Sequence, residues 1–515
     1  MSLDMGEIRR LEAPPLFRAV DRLEDALRKD PARLWEKRGE RHALSLFRAM
    51  AARVPAYKDL LKKHRIRSGS IESIEDFRQL PLLDKDNYLR AYPLKDLCWD
   101  GEFPERTWTI CTTSGSTGEP FYFPHNIAQD AQYAFLAELY LRANFQINKR
   151  RTLYINGFPM GAWIGGVFTY KAVTMVAERG RYPLSIINPG INKTEIIKAI
   201  QKLGKEFDQV IIGSYGPFLK DTLDDGMRAG IDWKEYNLGF IFSAEGFSEH
   251  FRDHVLGVAG KSGDLAATLN HYGTVDLGTM SYETPLAILA RRRALELSKL
   301  YQTLFDDSIR LPTLTQFFPN LFYFEEIERT LVCSSPAGLP LVRYDLKDIG
   351  GVYRYDQMIA IFRDAGVDLG KECGAQKTVS SQWNLPFVYV YERNDFSVSF
   401  HAFQIYPATI RRALEHPSLS RKITGKFSMR VEYDRNHNQR FEIHLECKKG
   451  FVHTDSLKEQ VLKRVVERLL AESSEYRETY RMKTKYVLPQ IVFWPYEHEC
   501  FFRPGIKQKW VLKGK

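Results

Sequence analysis

The residues best suited to chemistry lie together at 111–120, where Cys111, Thr112, Thr113, Ser114, Gly115, Ser116, Thr117, Gly118, Glu119 and Pro120 follow one another. Trp108 and Ile110 alternate with threonines ahead of this run, as in a half-buried strand. An apolar-periodic segment at 126–145 predicts a helix after it. A hydroxyl- and glycine-rich turn between strand and helix suits an oxyanion, because small residues let backbone N–H groups close around phosphate oxygens and Ser/Thr hydroxyls add donors or a metal contact. It is not a Walker loop, since no Gly-Lys-Ser/Thr closes it. Such runs are more often plain solvated loops, so its meaning depends on the elements around it.

Those elements alternate. Residues 152–155, 209–214 and 238–243 read as strands, and 194–203, 217–229 and 248–258 as helices, which implies βαβ units. In such sheets ligands bind beyond the carboxyl ends of the strands. The loop at 113–120, the stretch from Asn156 to Gly161, Ser243 to Gly246, and His271 to Asp276 all fall at such ends. Residues 1–40 are charged and helix-prone, with Leu16, Val20, Leu23 and Leu27 at helical spacing, and are expected as an N-terminal helical arm. A helix is expected near 286–304. From 393 the pattern changes to antiparallel α+β: a helix after Pro407, strands at 427–433 and 440–447 joined by Asn436, His437 and Asn438, and an amphipathic helix through Leu457, Val461, Val465 and Leu469. The expected fold class is thus α/β, with a large domain at 41–392 holding mostly parallel sheets covered by helices, and a small mobile α+β domain at 393–515.

The formal charge of +10 over 515 residues fits polyanionic ligands such as nucleotides, but the positive residues are dispersed. The densest cluster, Arg291, Arg292 and Arg293, reads as a solvated helix face, and no aromatic-basic motif supports nucleic acid as a partner. Six cysteines, widely spaced and without metal-ligand spacing, are expected as free thiols, and no zinc is expected. No apolar run approaches the ~20 residues of a membrane helix, so no membrane partner is expected and the cytoplasm is the expected compartment. His271 and His401 are expected to be structural.

From Ala43 onward, the order of motifs resembles the adenylate-forming superfamily, and within it the phenylacetate–CoA ligase-like branch. Val54, Pro55, Ala56 and Tyr57, then Leu80, Pro81, Leu82, Leu83, Asp84 and Lys85, are similar to that branch's N-terminal helices and its proline-to-lysine turn. The run from Thr113 to Pro120 is similar to its phosphate loop. Ser243, Ala244, Glu245 and Gly246, followed by Ser248 and Glu249, are similar to its glutamate segment. Tyr272, Gly273, Thr274, Val275 and Asp276 resemble its tyrosine core, and Val342 to Asp348 its arginine–tyrosine run. Arg393, Asn394 and Asp395 with Gln404 to Pro407 resemble its hinge, and Arg503 to Lys509 its C-terminal lysine motif.

The resemblance implies ATP-dependent activation of a small carboxylic acid to an acyl-adenylate with release of pyrophosphate, followed by transfer to coenzyme A. Attack of one anion on another needs charge neutralisation and in-line positioning rather than a covalent nucleophile. By resemblance, Thr113, Ser114, Gly115, Ser116, Thr117 and Gly118 hold the triphosphate, and Glu245, Tyr272, Gly273 and Arg393 contact the nucleotide. Asp276 stands where relatives use Glu for Mg²⁺, and Asp348 takes the ribose hydroxyls. Lys507 bridges the attacking carboxylate and the nucleotide, and Asp395 is the hinge. Phe158, Trp163, Tyr215 and Phe242 are candidates for an acyl pocket suited to an aryl acid, although aromatics at strand ends are more often core. Several positions depart from the pattern: Val275 replaces a hydroxyl, Glu119 a lysine, Glu392 a glycine, and Ala402 the glycine lining the pantetheine path. Two alternatives follow. One is an adenylating enzyme that transfers acyl or AMP to a carrier protein, an amine or another cofactor. The other is a nucleotide-binding protein without turnover.

Overall fold

Short apolar runs alternating with amphipathic segments fold here as parallel strands with helices between them. The computed structural model describes residues 5–112, 121–162, 164–244, 246–305, 311–336, 338–375, 382–391, 398–401, 403–414, 416, 418–419, 421–499 and 501–502. The chain divides into two units. One comprises Met1–Cys111, Phe123–Gly216 and Thr222–Glu392, and the other Thr112–Tyr122, Pro217–Asp221 and Arg393–Lys515.

β1 (Thr109–Thr112) and β2 (Tyr122–His125) form a two-stranded sheet. In the larger unit β3 (Thr152–Asn156), β4 (Leu184–Ile187), β5 (Gln209–Ser214), β6 (Leu238–Phe242) and β7 (Thr268–Thr274) pair in parallel in the order β4-β3-β5-β6-β7. Every residue of β3, β5 and β6 is buried, as in strands covered on both faces. The same sheet then continues antiparallel through β8 (Gly278–Tyr282), β9 (Thr313–Phe317), β10 (Tyr323–Ile327), β11 (Thr330–Ser335), β12 (Leu341–Tyr353) and β13 (Phe387–Val390), to eleven strands. Short connections allow the antiparallel pairing of β7 with β8, β10 with β11 and β11 with β12. β10 and β11 are joined by Glu328 and Arg329 alone, both at positive φ (50° and 66°), the backbone of a tight hairpin turn.

Several elements differ from expectation. The loop at 113–120 leads into β2 before the helix Ile127–Phe145 begins, so strand, loop and helix are not consecutive. That helix starts at Asn126, whose side chain accepts the Gln129 N–H at 2.9 Å. The segment near 286–304 is two helices, Pro285–Glu296 and Ser298–Phe305, because Leu297 takes extended dihedrals. Helix Ile164–Gly180 and strand β4 have no counterpart in the sequence reading. Arg291 is fully buried, not on a solvated face, because Glu283 and Glu249 pair with it inside the larger unit.

The N-terminal helices Met5–Glu12 and Val20–Lys29 bury Ile8, Leu11, Leu23 and Leu27. Arg142 binds Glu24 at 2.8 Å and Asp21 at 2.6 Å, and Asn384 donates to the Leu27 carbonyl at 3.2 Å. Within the smaller unit, β14 (Val398–Phe400) pairs with β15 (Phe403–Ile405), and β16 (Ile423–Tyr433) pairs antiparallel with β17 (Gln439–Cys447). Phe427, Met429, Phe441 and Ile443 pack with Leu457, Val461 and Val465 of helix Asp455–Glu472. β18 (Gln490–Trp494) adds parallel to β17, so the sheet is mixed rather than antiparallel throughout. Two helices, Asp455–Glu472 and Ser474–Val487, carry the chain back to make that crossover.

Glu12 is buried and accepts from Asn126 Nδ2 at 3.0 Å. Burial pushes its carboxyl up to about 7, against the pull of Asn126 and Arg106. A folded pKa above the ordinary 4.5 gives a contribution that is full below pH 4.5 and lost as pH rises through 7. Glu12→Gln is therefore expected to raise the melting midpoint near pH 8 and to leave it unchanged near pH 4, a difference of ~1–3 kcal/mol. Circular-dichroism melts at the two pH values check it.

Candidate functional site

Three segments far apart in sequence meet beside the β7–β8 turn. Leu83 bridges Tyr344 of β12 in parallel: its N–H donates to the Arg343 carbonyl at 3.0 Å, and the Asp345 N–H donates to the Leu83 carbonyl at 2.8 Å. Arg343 holds a positive φ of 50°, donates to the Leu80 carbonyl and pairs with Glu325 at 3.2 Å. Lys347 pairs with Asp84 at 3.2 Å. This clip brings Lys85 Nζ to 3.4 Å from Asp276 Oδ1, while the Tyr344 hydroxyl donates to Asp276 Oδ2 at 2.6 Å. On β7 the Tyr272 hydroxyl donates to Asp348 Oδ2 at 2.8 Å.

Asp276 and Asp348 are only 7% and 6% exposed, a burial that a carboxyl group sustains only with polar or charged partners beside it. Gly273 lets β7 and β8 approach: a Cβ there would stand 2.5 Å from the Gly278 carbonyl oxygen. Thr274 Oγ1 accepts the Leu277 N–H at 3.2 Å, so this hydroxyl is committed to the turn that presents Asp276. The structure thus brings Tyr272, Gly273, Asp276 and Asp348 together. It adds Lys85 and Tyr344, which stand inside two of the quoted motifs but whose contacts with Asp276 only the fold reveals. Among the described residues no group of three or more His, Cys, Asp or Glu side chains gathers as a metal cluster, so Asp276 offers a single carboxylate.

Thr113, Ser114, Gly115, Ser116, Thr117, Gly118, Trp163, Glu245, Arg393, Asp395 and Lys507 lie outside the described residues, as do Glu119, Glu392 and Ala402. The strand entering the loop is nevertheless anchored. Lys171 Nζ donates to Thr109 Oγ1 of β1 and pairs with Asp130 at 2.8 Å. Burial pushes the Asp130 carboxyl up against the pull of that lysine.

This fold is shared with solved enzymes. 2-Hydroxyisobutyryl-CoA ligase, in complex with 2-HIB-AMP and CoA in the thioesterification state, matches over 95% of this chain and 91% of its own at 12% identity, with a TM-score of 0.59. The same enzyme in the postadenylation state with R3-HIB-AMP matches over the same shares at 13% identity and a TM-score of 0.52. The fold is the one that these ligase structures share. No protein-family model and no curated protein matches the sequence.

In this ligase fold the carboxyl ends of β3, β5 and β6 share one edge of the sheet. Phe158 and Tyr215 meet there edge to face with ring centres 5.7 Å apart. Phe242 points elsewhere and packs on Phe247 at 4.8 Å and Phe251 at 6.1 Å, so the structure does not gather it with Phe158. The backbone around Ala244, at φ 73°, is held from below. Ser248 caps helix Glu249–Val258, and Arg291 donates to the Phe247 carbonyl. Arg252 and Arg291 in turn pair with Glu249 and Glu283, and all four are buried. Burial pushes the Glu249 carboxyl up, but Arg252, Arg291 and Arg292 outweigh it and hold it at about 2. His271 is buried between Tyr133 and Tyr140, and burial pulls it down to about 3.

Removing one cation from this quartet strands a buried carboxylate. Arg291→Met is expected to cost ~3–5 kcal/mol in urea unfolding, and Arg293→Met, at a half-exposed pair, under ~1 kcal/mol.

Proposed function

We propose that the chain activates a carboxylic acid with ATP, forming an acyl-adenylate and releasing pyrophosphate, and that it follows the phenylacetate–CoA ligase-like branch in doing so. The observation that carries this reading is the meeting of three motif segments on two buried carboxylates, with Lys85 and two tyrosine hydroxyls as their partners. In the reaction a carboxylate oxygen attacks the α-phosphorus while the bond to the pyrophosphate oxygen breaks. Both reactants are anions, so fixed positive charge and alignment supply the catalysis.

Asp348, set by Tyr272, accepts the ribose hydroxyls, as two carboxylate oxygens can. Asp276 fits Mg²⁺ as one hard oxygen ligand, since that ion takes one or two carboxylates and fills its shell with phosphate and water oxygens. When bound, Mg²⁺ supplies positive charge to the triphosphate. Lys85, one-third exposed on a flexible stem, then turns its ammonium from Asp276 to a phosphate oxygen. It supplies a cation that Glu119 does not. Thr113, Ser114, Ser116 and Thr117 donate to the triphosphate, and Lys507 neutralises the attacking carboxylate.

Coenzyme A is the leading acceptor. Ala402, in place of the pantetheine-path glycine, favours a protein or amine acceptor as the second reading.

ATP–pyrophosphate exchange across a panel of carboxylic acids tests the proposal: exchange with at least one acid is expected, and none with any acid, together with no ATP binding, overturns it. Adding coenzyme A and weighing the products separates the two acceptors. Lys507→Ala is expected to abolish exchange while leaving the fold and the transfer of pre-made acyl-adenylate intact; undiminished exchange moves the role to Lys509. Lys85→Ala is expected to lower exchange by roughly a hundredfold, the scale of one lost transition-state cation.

A further inference from the structure

The mechanism leaves unused a row of buried polar side chains that lies entirely within the larger unit. His271 precedes Tyr272 on β7, so the two point to opposite faces of the sheet. On the face of His271, helix Ile127–Phe145 presents Gln129, Tyr133 and Tyr140 at helical spacing. The His271 ring lies 5.8 Å from Tyr133 and 5.1 Å from Tyr140. Phe168 stacks on Tyr133 at 4.8 Å, and His125 of β2 stands 5.7 Å from Phe168. At one end the Tyr154 hydroxyl of β3 reaches Gly213, where a Cβ would stand 2.3 Å from it and 2.9 Å from Phe158 Cε2. At the other, Gln129 Nε2 lies against Gly278, 3.3 Å from where a Cβ would be. The row thus runs from Phe158 to the β7–β8 turn that presents Asp276.

Tyr154 is fully buried, and Gln129 and His125 are each 2% exposed. Yet Gln129 Nε2 and Oε1, the Tyr154 hydroxyl, both His125 ring nitrogens and His271 Nε2 have no hydrogen-bond partner among the described residues. His125 is close to the Val275 backbone and the Gln129 amide, but neither contact has hydrogen-bond geometry. A buried polar group left unpaired costs about 1–3 kcal/mol, so a row of them is sustained only by a guest with matching donors and acceptors.

The guest's chemistry follows from what the row offers. Burial pulls the His125 ring down to about 4, against the Val275 backbone and Gln129, so the imidazole is neutral at pH 7. Lys171, close enough to act on His125, is already matched by Asp130 at 2.8 Å. Donors and acceptors without net charge suit a hydroxyl, which both gives and accepts, and penalise a second carboxylate or an ammonium. The rings of Phe158, Tyr133 and Phe168 along the row suit a flat aromatic body.

We propose that this row selects the acid: the substrate is an aryl carboxylic acid bearing an uncharged ring hydroxyl, which Gln129 and His125 engage. The proposal rests on the adenylation reading and names the class of acid that reading leaves open. A site built to hydrogen-bond a hydroxyl rejects the analogue lacking it by roughly 10⁴- to 10⁵-fold, because its buried groups then stay unpaired.

The test compares benzoic and phenylacetic acids with their ortho-, meta- and para-hydroxy forms, in ATP–pyrophosphate exchange and by calorimetric titration into the full chain. At one ring position the hydroxy acid is expected to exceed its parent at least about a hundredfold in kcat/KM. Gln129→Leu and His125→Phe are each expected to cut that ratio at least about tenfold. Gln129→Leu, close in volume, is expected to keep the wild-type melting midpoint, since the amide it removes is unpaired. A wild-type ratio below about a hundredfold at every position leaves the row to water and overturns the proposal. So does a ratio that survives in both variants, or exchange confined to aliphatic acids. No exchange with any acid, alongside calorimetric binding of a hydroxy acid in preference to its parent, overturns the adenylation reading and leaves the site. Neither exchange nor binding overturns both.

Discussion

A carboxyl group taken out of water must be met by a hydrogen bond or a positive charge, and the larger unit is arranged around two that are. Asp276 and Asp348 lie almost fully buried, each fixed by one tyrosine hydroxyl. To supply those hydroxyls, β7 must carry Tyr272 past Gly273 without a side chain between it and β8, and β12 must bring Tyr344 to the same turn. The clip of Leu83 onto Tyr344 follows from the same need, because Lys85 reaches Asp276 only when the preceding residues lie along β12.

The same rule governs the support beneath the site. Arg252, Arg291, Glu249 and Glu283 balance two charges of each sign in the interior. Such a quartet contributes less to net stability than apolar packing of equal volume, but it is intolerant of losing one member. Its output is geometric: Arg291 holds the Phe247 carbonyl and so fixes the backbone after β6. Lys171 with Asp130 does the like for β1. Polar pairs behind the strands therefore set the loops at their carboxyl ends, while aromatic and aliphatic packing sets the strands themselves.

In the smaller unit the deciding feature is direction. A third strand running parallel to β17 delivers Trp494 alongside His444, where an antiparallel strand would have carried the chain away from that end of the sheet. Two helices of crossover are the cost of that placement.

The sequence by itself determined whatever local patterns encode. Short apolar runs, alternating runs and period-3.6 runs located β3, β5, β6, β16 and β17 and most of the helices between them, because a strand covered on both faces is mostly apolar and an outer helix is apolar on one face only. Motif order also located Tyr272, Gly273, Asp276 and Asp348. Other features had no local signature. Helix Ile164–Gly180 is apolar around most of its surface and edge strand β4 is only four residues long, so neither shows a clear period. The break at Leu297 is a choice of dihedrals that packing makes. Partnership was decided by tertiary structure alone: three consecutive arginines read as a solvated face until two buried glutamates claimed the first of them. Lys85 was one lysine in a turn until β12 carried its segment to Asp276. Pairing of charges depends on distance in space, and the sequence records distance only along the chain.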